Sequence, residues 1–158
     1  MFFYYIYLIY MMVDIPKTVP QENMKDSIFG VKQENDLQLI LQEKYHLELN
    51  KTSYYCKFDF TSNDAIFEIK SRRCKSTQYP TTMIQQSKIT KGLEHLDKGK
   101  QVYLVFNFTD KILVHTMKKD YNYTFSNGGR CDRGRPEFQQ YCYLPISDCE
   151  CIKIKENN

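Results

Sequence analysis

A chain of 158 residues, 42% hydrophobic and 26% charged, is long enough to bury a core and is composed like one globular domain, which excludes a disordered tail protein. Its net charge of +3 is too mild to name a partner by itself. The charge is uneven, however: Lys70, Arg72, Arg73, Lys75, Lys88, Lys91, Lys98 and Lys100 face only Glu94 and Asp97 over the same stretch, a local excess that suits an anionic partner.

Residues 1–13 are apolar and aromatic without a charge. They fall short of the roughly 20 residues of a membrane span. They also lack the basic start and small-residue cleavage site of a signal peptide. They read as a packing strand or an upstream extension, with Met11, Met12 and Met24 as alternative starts. Pro16 and Pro20 mark a linker. The expected organisation is an extension and linker over residues 1–24, one domain over 25–153, and a disordered tail over 154–158.

After Gly30 a helical pattern runs to about His46, with Val31, Leu37, Ile40, Leu41 and Tyr45 as its apolar stripe. Glu34 lies on that stripe, an unusual place for an acid. A turn follows over residues 49–52. Residues 54–61 and 65–71 read as two strands joined by a polar turn. Alternation puts Ile66, Glu68 and Lys70 on one face and Ala65, Phe67 and Ile69 on the other. A turn at Ser62-Asn63 pairs Asp59 with Ile66; a turn at Asn63-Asp64 pairs it with Glu68. In both registers Asp59, Glu68 and Lys70 share a face, with carboxylates about 5–8 Å apart at Cβ. Asp64 competes with Asp59 only if the turn is longer.

Residues 72–79 read as a polar loop. Thr82 and Gln85 fit a capping box opening a helix to about Leu96, with Ile84, Ile89, Leu93 and Leu96 packing and Gly92 a weak point. Gln85 and Lys88 lie beside the packing face near the helix N-terminus, where a backbone phosphate could sit. Residues 101–108 read as a central strand and 112–117 as its hairpin partner. Residues 120–135 read as a glycine-bearing loop whose arginines, Arg133 among them, could clamp phosphate. Residues 141–145 and 151–155 read as edge elements.

The spacing of Cys131, Cys142, Cys149 and Cys151 matches no usual zinc ligand pattern, and disulfides would need an oxidising compartment. The sequons at Asn50, Asn107 and Asn122 are discounted, because Asn107 falls inside an apolar strand. An intracellular protein is expected, in the cytoplasm or nucleus of a host cell, with a membrane anchor disfavoured.

Two clustered carboxylates repel and together favour a cation. Oxygen ligands suit Mg²⁺, which holds one or two carboxylates plus waters and substrate phosphate. A lysine on the same face can position a water or meet the charge that grows on phosphorus.

Asp59 followed by Glu68-Ile69-Lys70, with Glu34 on an upstream helix, resembles the PD-(D/E)xK nuclease superfamily. Ser71-Arg72-Arg73, then Tyr79-Pro80-Thr81-Thr82 to Lys88, is similar to its endonuclease-like members from phages and large DNA viruses. The likeness covers about residues 30–96. Asp132-Arg133-Gly134-Arg135 and Tyr143-Leu144-Pro145-Ile146 are less specifically similar to the closing part. Phe58 stands where the motif often has proline. The resemblance implies Asp59, Glu68 and the Ile69 carbonyl as metal ligands, Lys70 as the catalytic lysine, and Glu34 as the helix acid behind the metal. It implies nucleic-acid contacts from Arg72, Arg73, Gln85, Lys88 and Arg133. The expected fold is α/β and restriction-endonuclease-like, a mixed four- to five-stranded sheet flanked by helices. The expected activity is Mg²⁺- or Mn²⁺-dependent hydrolysis of nucleic acid, DNA before RNA. No small-molecule cofactor is expected, and a homodimer stays open. A catalytically inactive nuclease fold that binds nucleic acid is the alternative.

Overall fold

The computed structural model describes residues 21–53, 56–129 and 139–155, with side chains from Gln33 onward. The expected extension over residues 1–20, the start of the 54–61 strand, Arg133 and the end of the tail lie outside the described residues. The chain divides into two compact units, Met1–Asn35 and Asp36–Asn158. In chain order the elements are α1 (Gln21–Tyr45), β1 (Asn50–Lys51), β2 (Phe60–Thr61), β3 (Ala65–Ser71), β4 (Thr81–Gln85), α2 (Gln86–Asp97), β5 (Gln101–Asn107), β6 (Lys111–Thr116), β7 (Phe125–Gly128), β8 (Gln139–Pro145), a 3-10 turn (Ile146–Asp148) and β9 (Glu150–Ile154).

The fold is α/β. Its main sheet has six strands in the order β1-β2-β3-β5-β6-β9, and β4-β8-β7 form a second sheet of three. The main sheet is mixed, because β3 and β5 run parallel while its other neighbours are antiparallel. The strand count exceeds the expected four or five, through the two-residue β1 and through β9 at the far edge.

The alternation read in residues 65–71 divides the core. Ala65, Phe67 and Ile69 pack with Leu37 and Leu41 of α1 and with Leu49. Tyr103 stacks on Phe67 at 4.7 Å between ring centroids. Ile66 faces the other way, into a cluster with Ile84, Ile89, Val102 and Leu144. Burying each such side chain contributes roughly 1.5–3 kcal/mol. β3 is thus covered on both faces, as a parallel-paired strand requires. Asn107 is buried at the end of β5.

Several local readings are corrected. Residues 49–52 hold strand β1 rather than only a turn, and it pairs with β2. Of the expected 54–61 strand, the described residues form strand only at Phe60–Thr61, because the chain bends through residues 56–59. Thr82 does not cap a helix. Residues 81–85 form β4, with Thr82 and Ile84 buried alternately and paired to Leu144 and Cys142. Helix α2 begins after Gln85, which makes no side-chain cap. Gly92 is a fitted contact rather than a weak point: a Cβ there would lie 2.5 Å from Met117 Sδ and 3.3 Å from Val102 Cγ1, so a larger residue makes the Met117 side chain shift. Residues 120–135 contain strand β7, and β8 is the centre of its sheet rather than an edge. No helix among the described residues is long and apolar enough to cross a membrane.

Candidate functional site

The hairpin adopts the register with its turn at Asn63-Asp64. Phe60 pairs with Phe67 and Thr61 with Ile66, and Asp59, in the bend just beyond this ladder, lies close enough for its charge to act on Glu68. Asp64 is exposed in the turn, and its carbonyl accepts from Gln101 N–H at 2.7 Å. It therefore does not replace Asp59.

Asp59 sits where the chain bends into β2, and each of its polar groups has an anchor. Its N–H donates to the Phe67 carbonyl at 2.9 Å, and its carbonyl accepts from Thr52 N–H at 3.0 Å. Its carboxylate Oδ2 accepts from Ile69 N–H at 2.6 Å. The side chain takes the place that the next residue of a longer β2 would hold. Strand residues two apart turn their backbone groups to the same side. Ile69 therefore presents its carbonyl on the side where Asp59 lies.

Glu68 is only 1% exposed. Lys70 Nζ lies 2.5 Å from its Oε1, and Lys88 Nζ lies 2.7 Å from its Oε2. Each Glu68 oxygen thus has an ammonium group against it. Burial pushes the Glu68 carboxyl above its ordinary range; Lys70 and Lys88 pull it down, and the Asp59 charge adds to the push. A buried anion beside a second anion, already holding two ammonium groups, has the chemistry of a cation site. Among the described residues no group of three or more His, Cys, Asp or Glu side chains converges on a point. Two carboxylates and a carbonyl still suit Mg²⁺, which completes its shell with waters and phosphate.

Lys70 reaches the mouth of the site, with 31% of its side chain exposed. Lys88, in the first turn of α2, points inward; besides Glu68 it donates to the Lys57 carbonyl and lies 5.6 Å from the Phe58 ring centroid. Sequence reasoning had placed Lys88 toward nucleic acid and missed this contact with Glu68. No spacing within the helix signals this contact, which depends on how α2 docks against β3.

Of the other expected residues, Gln85 is half-buried at the junction of β4 and α2. Arg72 turns onto β4, where its guanidinium donates to the Met83 carbonyl and to Thr82 Oγ1 at 3.4 Å. Arg73 is exposed. Glu34 is half-buried on α1 and belongs to the first unit, whereas Asp59, Glu68, Lys70 and Lys88 belong to the second.

A cavity of about 290 Å³ opens elsewhere, at His115, Tyr121 and Asp148, and shares no residue with the carboxylates. The described cysteines Cys56, Cys74, Cys142, Cys149 and Cys151 are free thiols.

Comparison with curated proteins and with solved structures gives no match. A family model described as "Phage putative PDDEXK endonuclease" matches residues 26–152, which includes the hairpin, α2 and both sheets. The chain belongs to this PD-(D/E)xK endonuclease family of phages.

Proposed function

We propose that the protein is a divalent-metal-dependent nuclease that hydrolyses phosphodiester bonds, with DNA as its substrate. The observation that carries the reading is the buried Glu68 carboxylate beside Asp59, with Lys70 against it. Asp59, Glu68 and the Ile69 carbonyl would hold Mg²⁺ or Mn²⁺. When bound, the ion lowers the pKa of a water and offsets charge that grows on the phosphate.

The chain's own groups do the rest. The Ile69 N–H holds Asp59 in one orientation, so its free oxygen stays directed at the site. Burial of Glu68 keeps water from competing for its oxygens. Lys70, charged and partly exposed, orients the attacking water or a non-bridging phosphate oxygen. Arg73, Gln85 and Lys88 contact the backbone of the substrate, joined by Arg72 and Arg133. A homodimer would bring two such sites to the two strands of a duplex.

The test is incubation of purified protein with supercoiled plasmid and Mg²⁺ or Mn²⁺. Cleavage is expected in both metals, with loss in Glu68→Ala and Lys70→Ala. Cleavage that persists unchanged in both variants would reject the assignment. Salt-dependent binding of DNA without cleavage, indifferent to metal, would select the inactive binding module instead.

A further inference from the structure

Two ammonium groups, Lys70 and Lys88, each hold one oxygen of Glu68, while Asp59 beside it is held by the Ile69 N–H. A divalent ion entering this site therefore arrives where both Glu68 oxygens already have cations. Lys70 is fixed two residues along the same strand face. Lys88 is different. It reaches in from another element on a long flexible stem, with 16% of its side chain exposed. It also occupies the Glu68 oxygen that Lys70 does not contact, Oε2.

We infer that the Lys88 ammonium is a placeholder for the metal: it holds Glu68 Oε2 until a divalent cation displaces it, and then turns to a phosphate oxygen of the substrate. The inference rests on the metal-dependent reading above and adds a coupling to it. Metal alone must displace a bound cation and leaves Lys88 without an anion. Metal with a phosphodiester gives Lys88 a new partner. Metal and nucleic acid therefore bind each other's complex more tightly than the free protein, and by the same factor in both directions. Without substrate, the lysine keeps a buried carboxylate neutralised and the Lys57 carbonyl satisfied.

The experiment is Mn²⁺ binding to the full chain without nucleic acid, followed by the resonance signal of free Mn²⁺. Wild type, Lys88→Met and Lys88→Arg are compared. Removing the competing charge should tighten Mn²⁺ binding by about tenfold in Lys88→Met, and Lys88→Arg should stay near wild type. Wild-type affinity, or weaker, in a folded Lys88→Met would overturn the placeholder role alone. Absence of Mn²⁺ binding in every form would overturn the metal reading and this inference with it. A second measurement needs no variant. The rate of Lys88 acetylation by an amine-reactive ester, read by mass spectrometry against Lys91, should rise several-fold when Mg²⁺ is added. No rise at saturating Mg²⁺ would contradict displacement.

Discussion

Glu68→Met separates a functional carboxylate from a structural one. Methionine matches the length of glutamate, carries no charge and fits the apolar surroundings of Ile66 and Leu104. Replacing a whole buried ion pair by apolar residues of similar size is often neutral or stabilising by about 1–4 kcal/mol, whereas removing one partner is costly where the charge left behind stays buried. Glu68→Met leaves two lysines behind. Both reach solvent, at 31% and 16% side-chain exposure, so their ammonium groups can turn to water once the carboxylate is gone. The variant should therefore stay within about 1 kcal/mol of wild type near neutral pH. The pH dependence follows in sign. The folded Glu68 carboxyl is raised, so its contribution to stability is present at acid pH and is lost as pH rises through its folded value. Relative to wild type, Glu68→Met should gain stability from pH 5 to pH 8. Urea denaturation midpoints at the two pH values measure this. A loss of 2 kcal/mol or more at neutral pH would show that the ion pairs hold the fold together, and the reasoning would fail.

Three further outcomes are expected. Asp59→Asn keeps an oxygen for the Ile69 N–H, so its melting temperature should stay near wild type while the rise on adding Mn²⁺ disappears; a retained rise would remove Asp59 from the metal. Gly92→Ala gains about 1 kcal/mol of helix propensity but forces Met117, 2% exposed, and Val102 to move, at roughly 1–3 kcal/mol. A net loss of stability is expected, and a raised melting temperature would contradict the packing. His115 is buried as the neutral ring: its Nδ1 donates to the Asp148 carbonyl at 3.2 Å and its Nε2 accepts from Tyr123 Oη at 3.3 Å. Burial lowers its pKa, so its contribution is present above the ordinary histidine value and is lost as pH falls through the folded one. His115→Gln should flatten the loss of stability below about pH 6.5, and an unchanged slope would assign that loss to other groups.

What was legible in the chain was local. The two-residue period of residues 65–71 assigned both faces of β3 correctly, because its apolar side chains pack on opposite layers. Parity puts Asp59, Glu68 and Lys70 on one face in either register, and the structure takes the register with its turn at Asn63-Asp64. The errors arose where a distant partner overrides local preference. Thr82 to Gln85 looks like a capping box, yet those residues pair with Tyr141 to Leu144 from far along the chain. Residues 125–128 look like loop for the same reason, since β8 alone gives them a ladder. The contact of Lys88 with Glu68 depends on how α2 docks on β3, and no spacing within residues 82–96 reveals it.

Single-turnover cleavage of an end-labelled DNA duplex, titrated with Mg²⁺ and Mn²⁺, tests the metal-dependent role of Asp59 and Glu68 most directly. Wild type and Glu68→Met are compared at equal folded fraction. Wild type should cleave only with metal, and the folded variant should fall by about 10²-fold or more. Equal rates in the two proteins, or cleavage by wild type in a chelator, would contradict it.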